Sequence, residues 1–335
     1  MSTKRVPISV LDLVPVSRGM TAGEAIAAAV DTARAAEAAG FSRYWIAEHH
    51  NTASVASAAT TLLMGRLLDA TETIRVGSGG IMLPNHAPLK VAEEIGTLEA
   101  MHPGRIDLGL GRAPGTDPMT ARELRRGASD VADFAADIRD LQRYLGPVRP
   151  EARIIAHPGQ GSNTPMYVLG SSTGGATVAA AMGLPFVMAT HFAPLQLEEA
   201  LEVYRGGFDG SAPTARIDRP WVMVAANAMV RDTAEDARFQ FSVSQRMFLE
   251  LGRGGGRGPL QEPVEHPEAG ATPMEWARVE AALRYGYHGT ADQVVAGLEE
   301  FVEAADADEL ITVTYAFDPV VRREAIAALG EAWNS

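Results

Sequence analysis

The segment Ile74-Arg-Val-Gly-Ser-Gly-Gly-Ile-Met-Leu-Pro84, an amphipathic run from Leu89 to Met101, and His102-Pro-Gly-Arg105 leading into Ile106-Asp-Leu-Gly-Leu-Gly-Arg112 decide the fold. An apolar strand, a breaker, a helix, a Pro-Gly breaker and a second apolar strand make a βαβ unit, so the two strands are parallel and buried on both faces. Two features exceed what packing requires. Gly79 and Gly80 lie inside a strand, where glycine weakens pairing and marks a bulge or a group approaching the backbone. Arg112 ends the second strand, and its permanently charged fork suits a phosphate or another planar anion.

The same alternation extends in both directions. Upstream, Ile8–Val14 and Arg43–Glu48 read as strands. The first helix opens at a capping box, Thr21-Ala-Gly-Glu24, and stops at Gly40; a second is expected from about Ser54 to Leu68. Downstream come helices near Met119–Arg126 and Asp130–Leu145, then strands at Met166–Ser171, Leu184–Thr190, Trp221–Val230 and Glu309–Tyr315. Helices are expected near Ala176–Met182, Leu195–Arg205, Thr233–Leu251, Asp292–Ala305 and Val320–Trp333. Eight strands each followed by a helix predict one (β/α)₈ TIM barrel over residues 1–335. A doubly wound open sheet is the alternative, but no Gly-x-Gly-x-x-Gly follows the first strand. The Gly- and Pro-rich segment Gly252–Pro273 is expected to be a long insertion loop, and such loops are disordered or act as lids.

Composition narrows the function. The 335 residues carry a net charge of -13, which disfavours nucleic acid and anionic membrane as partners and favours a small molecule. With no cysteine, the chain has no disulfide, thiolate nucleophile or iron–sulfur cluster. The first residues lack the apolar core of a signal peptide and no apolar run is long enough to span a bilayer, so the expectation is a cytoplasmic protein.

In a barrel, chemistry sits at the carboxyl ends of the strands. Those ends collect Glu48-His49-His50-Asn51, Gly79-Gly80 with Asn85-His86, Arg112, Ser171-Ser-Thr-Gly-Gly175 and Thr190-His191. The hydroxyls and glycine amides of Ser171–Gly175, at a helix N-terminus, form a phosphate cradle. His49 can exchange a proton near neutral pH. The bland readings are that Ser171–Gly175 is ordinary loop chemistry, that Arg112 pairs with Glu48 or Asp107, and that one of His49 and His50 merely packs. His86, His102, His157, His266 and His288 are read as structural or surface residues. No third ligand accompanies the adjacent histidines, so no metal is expected.

Four blocks in order, Tyr44–Asn51, Ile74–Pro88, Pro103–Gly115 and Tyr167–Ala176, resemble the bacterial luciferase-like flavin monooxygenase superfamily, especially its single-component bacterial group, over nearly the whole chain. The resemblance implies a barrel that binds FMN, or in some branches a deazaflavin coenzyme. It assigns His49 as catalytic base with Glu48 beside it, and a non-prolyl cis peptide at Gly79-Gly80 beneath the flavin ring. It places Arg112, Ser171, Ser172, Gly174 and Gly175 around the flavin phosphate, and a mobile lid near Gly252–Pro273. It further implies oxygenation of a small organic substrate through a flavin hydroperoxide, reduced FMN from a separate NAD(P)H:flavin reductase, and a homodimer. Deazaflavin-dependent hydride transfer and non-catalytic flavin binding are the alternatives. Where luciferase has a cysteine this chain has Gly111, and where it has a glutamate, Ser171. Two of its hydroxyl-bearing phosphate positions are Gly174 and Gly175 here, so light emission and a long-chain aldehyde substrate do not carry over.

Overall fold

A computed structural model describes residues 5–113, 115–124, 131–256 and 258–335. Parallel strands β1 (Ile8–Asp12), β2 (Arg43–Ile46), β3 (Arg75–Met82), β4 (Ile106–Gly111), β5 (Met166–Gly170), β6 (Phe186–Met188) and β7 (Val222–Val230) pair in sequence order. A last strand, β9 (Glu309–Val313), lies between β7 and β1 and closes the ring. Closure excludes the open sheet. Each strand is an apolar run buried on both faces, as parallel strands wrapped by helices must be.

The helices are α1 (Ala22–Ala38), α2 (Thr60–Leu68), α3 (Pro88–Met101), α4 (Pro118–Glu123), α5 (Val131–Leu145), α6 (Thr173–Met182), α7 (Leu197–Gly206), α8 (Ala234–Gly252), α9 (Pro273–Ala282), α10 (Ala291–Ala305) and α11 (Pro319–Asn334). The α1 capping box forms as the sequence indicates, with Thr21 Oγ1 accepting from the Glu24 amide at 3.2 Å. The end of the Met119–Arg126 helix and the first residue of Asp130–Leu145 lie outside the described residues.

Three expectations are corrected. Helix α2 begins at Thr60 and not at Ser54, because residues 54–56 pair with the loop after β1: Val16 N donates to Ser54 O at 2.8 Å, and Ala56 N to Val14 O at 2.9 Å. Helix α6 begins at Thr173 and not at Ala176, taking Gly174 and Gly175 into its first turn despite glycine's poor propensity. An unforeseen pair, α9 and strand β8 (Gly286–Gly289), follows the insertion loop; β8 pairs with the end of β7, which outruns its neighbours. Its signal was legible, since Thr272 and Glu275 form a second capping box.

Alternate residues of each strand face the barrel axis. Leu11, Trp45, Ala47, Tyr167, Val187, Met223, Ala225, Ile311 and Val313 make one apolar interior cluster. Beneath it, at the amino ends of the strands, Arg43 sits between Asp107 and Glu309 at 2.8 and 2.9 Å, and Asp107 also takes Arg75 and Trp45 Nε1. This ion-pair layer closes the lower mouth, so only the carboxyl end is free for a ligand.

Among the described residues, 253–272 form no helix or named strand, as expected of an insertion loop, but the segment is strapped to the barrel. Leu260 bridges to Ser17, donating to Val16 O at 2.8 Å and accepting from Arg18 N at 2.9 Å. Its side chain is buried in the interior cluster with Val243 and Met247 of α8, giving the upper mouth an apolar roof. Among the described residues no helix is long and apolar enough to cross a membrane.

Candidate active site

Strand alternation sends His49 toward the barrel axis, like Trp45 and Ala47, and sends Glu48 and His50 away from it. Glu48 is buried and collects donors from β3 and its extension: His86 Nε2 at 2.8 Å, the Met82 amide at 3.1 Å and Asn85 Nδ2 at 3.4 Å. His50 Nε2 adds a fourth contact at 2.8 Å. Burial pushes the Glu48 carboxyl up, but hydrogen bonds from His86, His50 and the Met82 amide outweigh it and hold the group below the ordinary carboxylate range. Glu48 is therefore an anion that ties the end of β2 to the end of β3. His86, read from sequence as structural, belongs to this clamp; the signal available was its place just past the carboxyl end of a strand.

His49 Nδ1 faces the Gly115 carbonyl at 3.3 Å. A carbonyl only accepts, so Nδ1 carries the hydrogen and Nε2 keeps its lone pair. Burial lowers the His49 pKa below 6.5, outweighing the opposing pull of Gly115 O and Glu48. The imidazole is thus neutral at neutral pH, with a free basic nitrogen. Gly115 holds φ = +63°, and a Cβ there would lie 2.9 Å from Glu48 O and 2.8 Å from Met82 Cγ. Gly115→Ala is expected to cost about 1–3 kcal/mol, read as a lower midpoint in urea unfolding, because both the backbone and the space refuse a side chain.

Gly79-Gly80 is a non-prolyl cis peptide, at the position the resemblance indicated. A bulge shifts the β3–β4 register between Ser78 and Ile81. A Cβ on Gly80 would come within 2.8 Å of Gly109 O, so the backbones of β3 and β4 touch without intervening side chains.

Arg112 leaves β4 and lies across the start of α6: a Cβ added at Gly174 would sit 3.3 Å from Arg112 Nη2 and 3.8 Å from Ser172 Oγ. Ser172 is the N-cap residue, yet its hydroxyl does not cap the helix. Free first-turn amides, an uncommitted hydroxyl and a guanidinium therefore converge on one point. Asp107 is taken by Arg43 and Arg75, and Glu48 by histidines; among the described residues no carboxylate pairs with Arg112. Ser171, the neighbouring position, is exposed; Gly175 is buried, packing against Gly170 and setting the start of α6 on β5. Among the described residues no group of three or more His, Asp or Glu side chains is placed to hold a metal ion.

A family model described as luciferase-like monooxygenase matches residues 6–308. The chain belongs to the luciferase-like monooxygenase family. It is 42% identical over 323 residues to a luciferase-like monooxygenase of Escherichia coli K12, covering 96% of this chain and 95% of that protein. It is 43% identical over 331 residues to the uncharacterised protein YvbT of Bacillus subtilis, covering 98% and 97%. The crystal structure of apo-MsnO8 superposes with a TM-score of 0.87 at 29% identity, over 98% of each chain. As a luciferase-like monooxygenase the chain is an oxidoreductase of the oxygen-incorporating class.

Sequence reading missed one feature of the mouth. Asn227, on the interior face of β7 with Met223 and Ala225, donates from Nδ2 to His191 O at 2.8 Å. An asparagine inside an otherwise apolar strand was the available signal. Thr190 helps fix the turn after β6, its Oγ1 bonding Ala225 O and accepting the Ala225 amide at 3.0 Å.

Proposed function

We propose that this luciferase-like monooxygenase uses reduced FMN and oxygen to oxygenate a small organic substrate, the reduced flavin being supplied by a separate reductase. The observation carrying this reading is the convergence of Arg112 with Ser172 and Gly174 at the start of α6, on the same end of the barrel as Gly79-Gly80 and His49. A small anion suits that point: it offers charge, hydroxyl and amides, and a side chain at Gly174 would crowd the guanidinium. A phosphate there lets a flat ring reach inward over the side-chain-free backbone of Gly79 and Gly80.

In this assignment Arg112, the Ser172 hydroxyl and the Gly174 and Gly175 amides hold the phosphate, with Ser171 at its exposed rim. When bound, the flavin supplies oxygen activation, which the protein's own side chains cannot. His49 Nε2 takes and returns the proton. Glu48 acts as a positioning residue, holding the strand end that carries His49 against the one that carries the cis peptide. Leu260, Val243 and Met247 exclude water from the reaction. A neutral His49 with a basic Nε2 favours proton abstraction over the acid role that hydride transfer to a deazaflavin would need.

FMN titration followed by flavin fluorescence checks the phosphate site. Arg112→Ala is expected to raise the Kd by roughly 10–100-fold, the loss of one charge-assisted contact. An unchanged Kd would refute the assignment. Coupled NAD(P)H and oxygen consumption with a generic reductase then separates oxygenation from mere binding: only an oxygenase yields an oxygenated product with a substrate panel.

A further inference from the structure

Met82 ends β3, two residues beyond Gly80, and its side chain fills a space that two glycines leave open. A Cβ on Gly111 would meet Met82 Sδ at 2.9 Å, and one on Gly115 would meet Met82 Cγ at 2.8 Å and Cε at 3.4 Å. The strand register fixes which way this side chain points. Met82 pairs with Gly111, and Gly111 with Leu169, which packs on the interior cluster. Paired residues of neighbouring strands project to the same face of a sheet, so the Met82 thioether lies on the axis side of the barrel, at its carboxyl end. It is partly exposed, whereas Ile81 before it is buried. Because Gly111 precedes Arg112, the sulfur stands between the side-chain-free backbone of Gly79 and Gly80 and the guanidinium of the proposed phosphate site. Methionine fills gaps in many cores, but in a chain without cysteine it also carries the only oxidisable sulfur.

We propose that Met82 is a modification site: a hydroperoxide, the product of reduced flavin and oxygen, oxidises its thioether to the sulfoxide when no substrate is present to take the oxygen atom. The inference rests on the proposed flavin reading, which lays the ring beside this sulfur. The step needs no further reagent. An S–O bond forms as the O–O bond breaks, and sulfur gives up two electrons. The proton of the hydroperoxide passes to the oxygen left behind, which departs as a hydroxy compound, or as water where the oxidant is hydrogen peroxide. The consequence is local. A sulfoxide is polar and chiral where the thioether was apolar. Met82 Cγ and Cε pack on Gly115, whose carbonyl faces His49 Nδ1 at 3.3 Å, so oxidation loosens the contact that fixes the His49 tautomer. Turnover without substrate thereby disables the base that turnover with substrate needs.

The test supplies FMN-loaded protein with a generic flavin reductase and NAD(P)H in air, without substrate and with catalase to remove free hydrogen peroxide. Trypsin then releases residues 76–90, in which Met82 is the sole methionine, and mass spectrometry follows the gain of one oxygen atom. Met119 and Met274, 76% and 66% exposed, report oxidation from bulk solution, and Met247 reports oxidation in the roof. Met82 is expected to gain oxygen about tenfold faster than each of these, because an oxidant made beside a group has an effective concentration that a bulk reagent does not reach. Hydrogen peroxide added to the flavin-free protein should reverse the order and take Met119 and Met274 first. The urea midpoint of the turnover-oxidised protein is expected to fall, while that of Met82→Leu, which conserves volume, stays where it began. Three results would overturn the inference: Met82 oxidised no faster than Met119, Met274 or Met247 during turnover, Met82 oxidised first by added peroxide as well, or an equal fall in midpoint for Met82→Leu. If the protein does not quench FMN on titration, the flavin reading itself fails; FMN bound with Met82 spared removes this inference alone.

Discussion

His49→Ala is expected to lower the rate of substrate oxygenation by roughly 10²–10⁴-fold, the usual worth of a positioned acid–base group. FMN affinity should stay within about a factor of two, because the proposal assigns the phosphate to Arg112 and the start of α6 and not to His49. The geometry behind this is the fixed tautomer: Gly115 O takes Nδ1–H and leaves Nε2 free. The pH profile gives a second check. The active form of a base is the unprotonated one, and burial has lowered the His49 pKa below its ordinary 6.5. Activity should therefore hold as pH falls through the range where a free imidazole protonates, and drop only at more acid pH. That acid limb should be absent from the residual rate of His49→Ala. A single-turnover measurement, with prereduced FMN and a fixed oxygen pulse, reads both effects without interference from the reductase. If His49→Ala turned over at the wild-type rate, the proton would have to be handled elsewhere and the assignment of His49 would fall.

The largest expected stability effect lies at the opposite mouth. Asp107 is fully buried, and its two oxygens take Arg43 at 2.8 Å, Arg75 at 2.6 Å and Trp45 Nε1 at 3.2 Å. Removing it leaves Arg43 with Glu309 alone and Arg75, whose side chain is 29% exposed, with backbone carbonyls. Breaking a buried pair from one side costs about 3–5 kcal/mol, since the surviving charge keeps its desolvation penalty. Asp107→Ala is thus expected to lower the unfolding free energy by that amount in urea titration. Asp107→Asn, which keeps the shape and some of the hydrogen bonds, should cost less. Both variants should bind FMN with wild-type affinity when folded, because the ion-pair layer and the ligand site occupy opposite ends of the strands. Equal stability of Asp107→Ala and wild type would mean that the layer contributes nothing net.

The candidate site residues came from the resemblance in four sequence blocks and from the strand-end rule. Glu48, His49, Gly79, Gly80, Arg112 and Ser172 all fall at the carboxyl end of the barrel, and the cis peptide is where the second block suggested. The boundaries that failed did so for local reasons. Ser54–Ala59 carries helix-compatible residues, but its amides and carbonyls serve the loop after β1. Gly174 and Gly175 disguise the first turn of α6, and that turn matters most, because it supplies the anion site with amides. The capping box at Thr272 announced α9, yet the proline-rich stretch before it masked the signal.

What the sequence determined by itself was periodicity and punctuation: the alternation of apolar runs with amphipathic ones demands parallel strands wrapped by helices, and Gly and Pro mark where the chemistry-bearing ends lie. It also required the adjacent His49 and His50 to face opposite ways, because side chains alternate along a strand. Only the tertiary structure decided partners, since these join residues far apart in the chain: His86 on Glu48, Gly115 on His49, Arg112 on α6, Asn227 on His191. Hydrogen bonds and burial depend on closure of the ring, which brings β2 opposite β6 and sets Asn227 Nδ2 against His191 O. No local pattern encodes such a meeting.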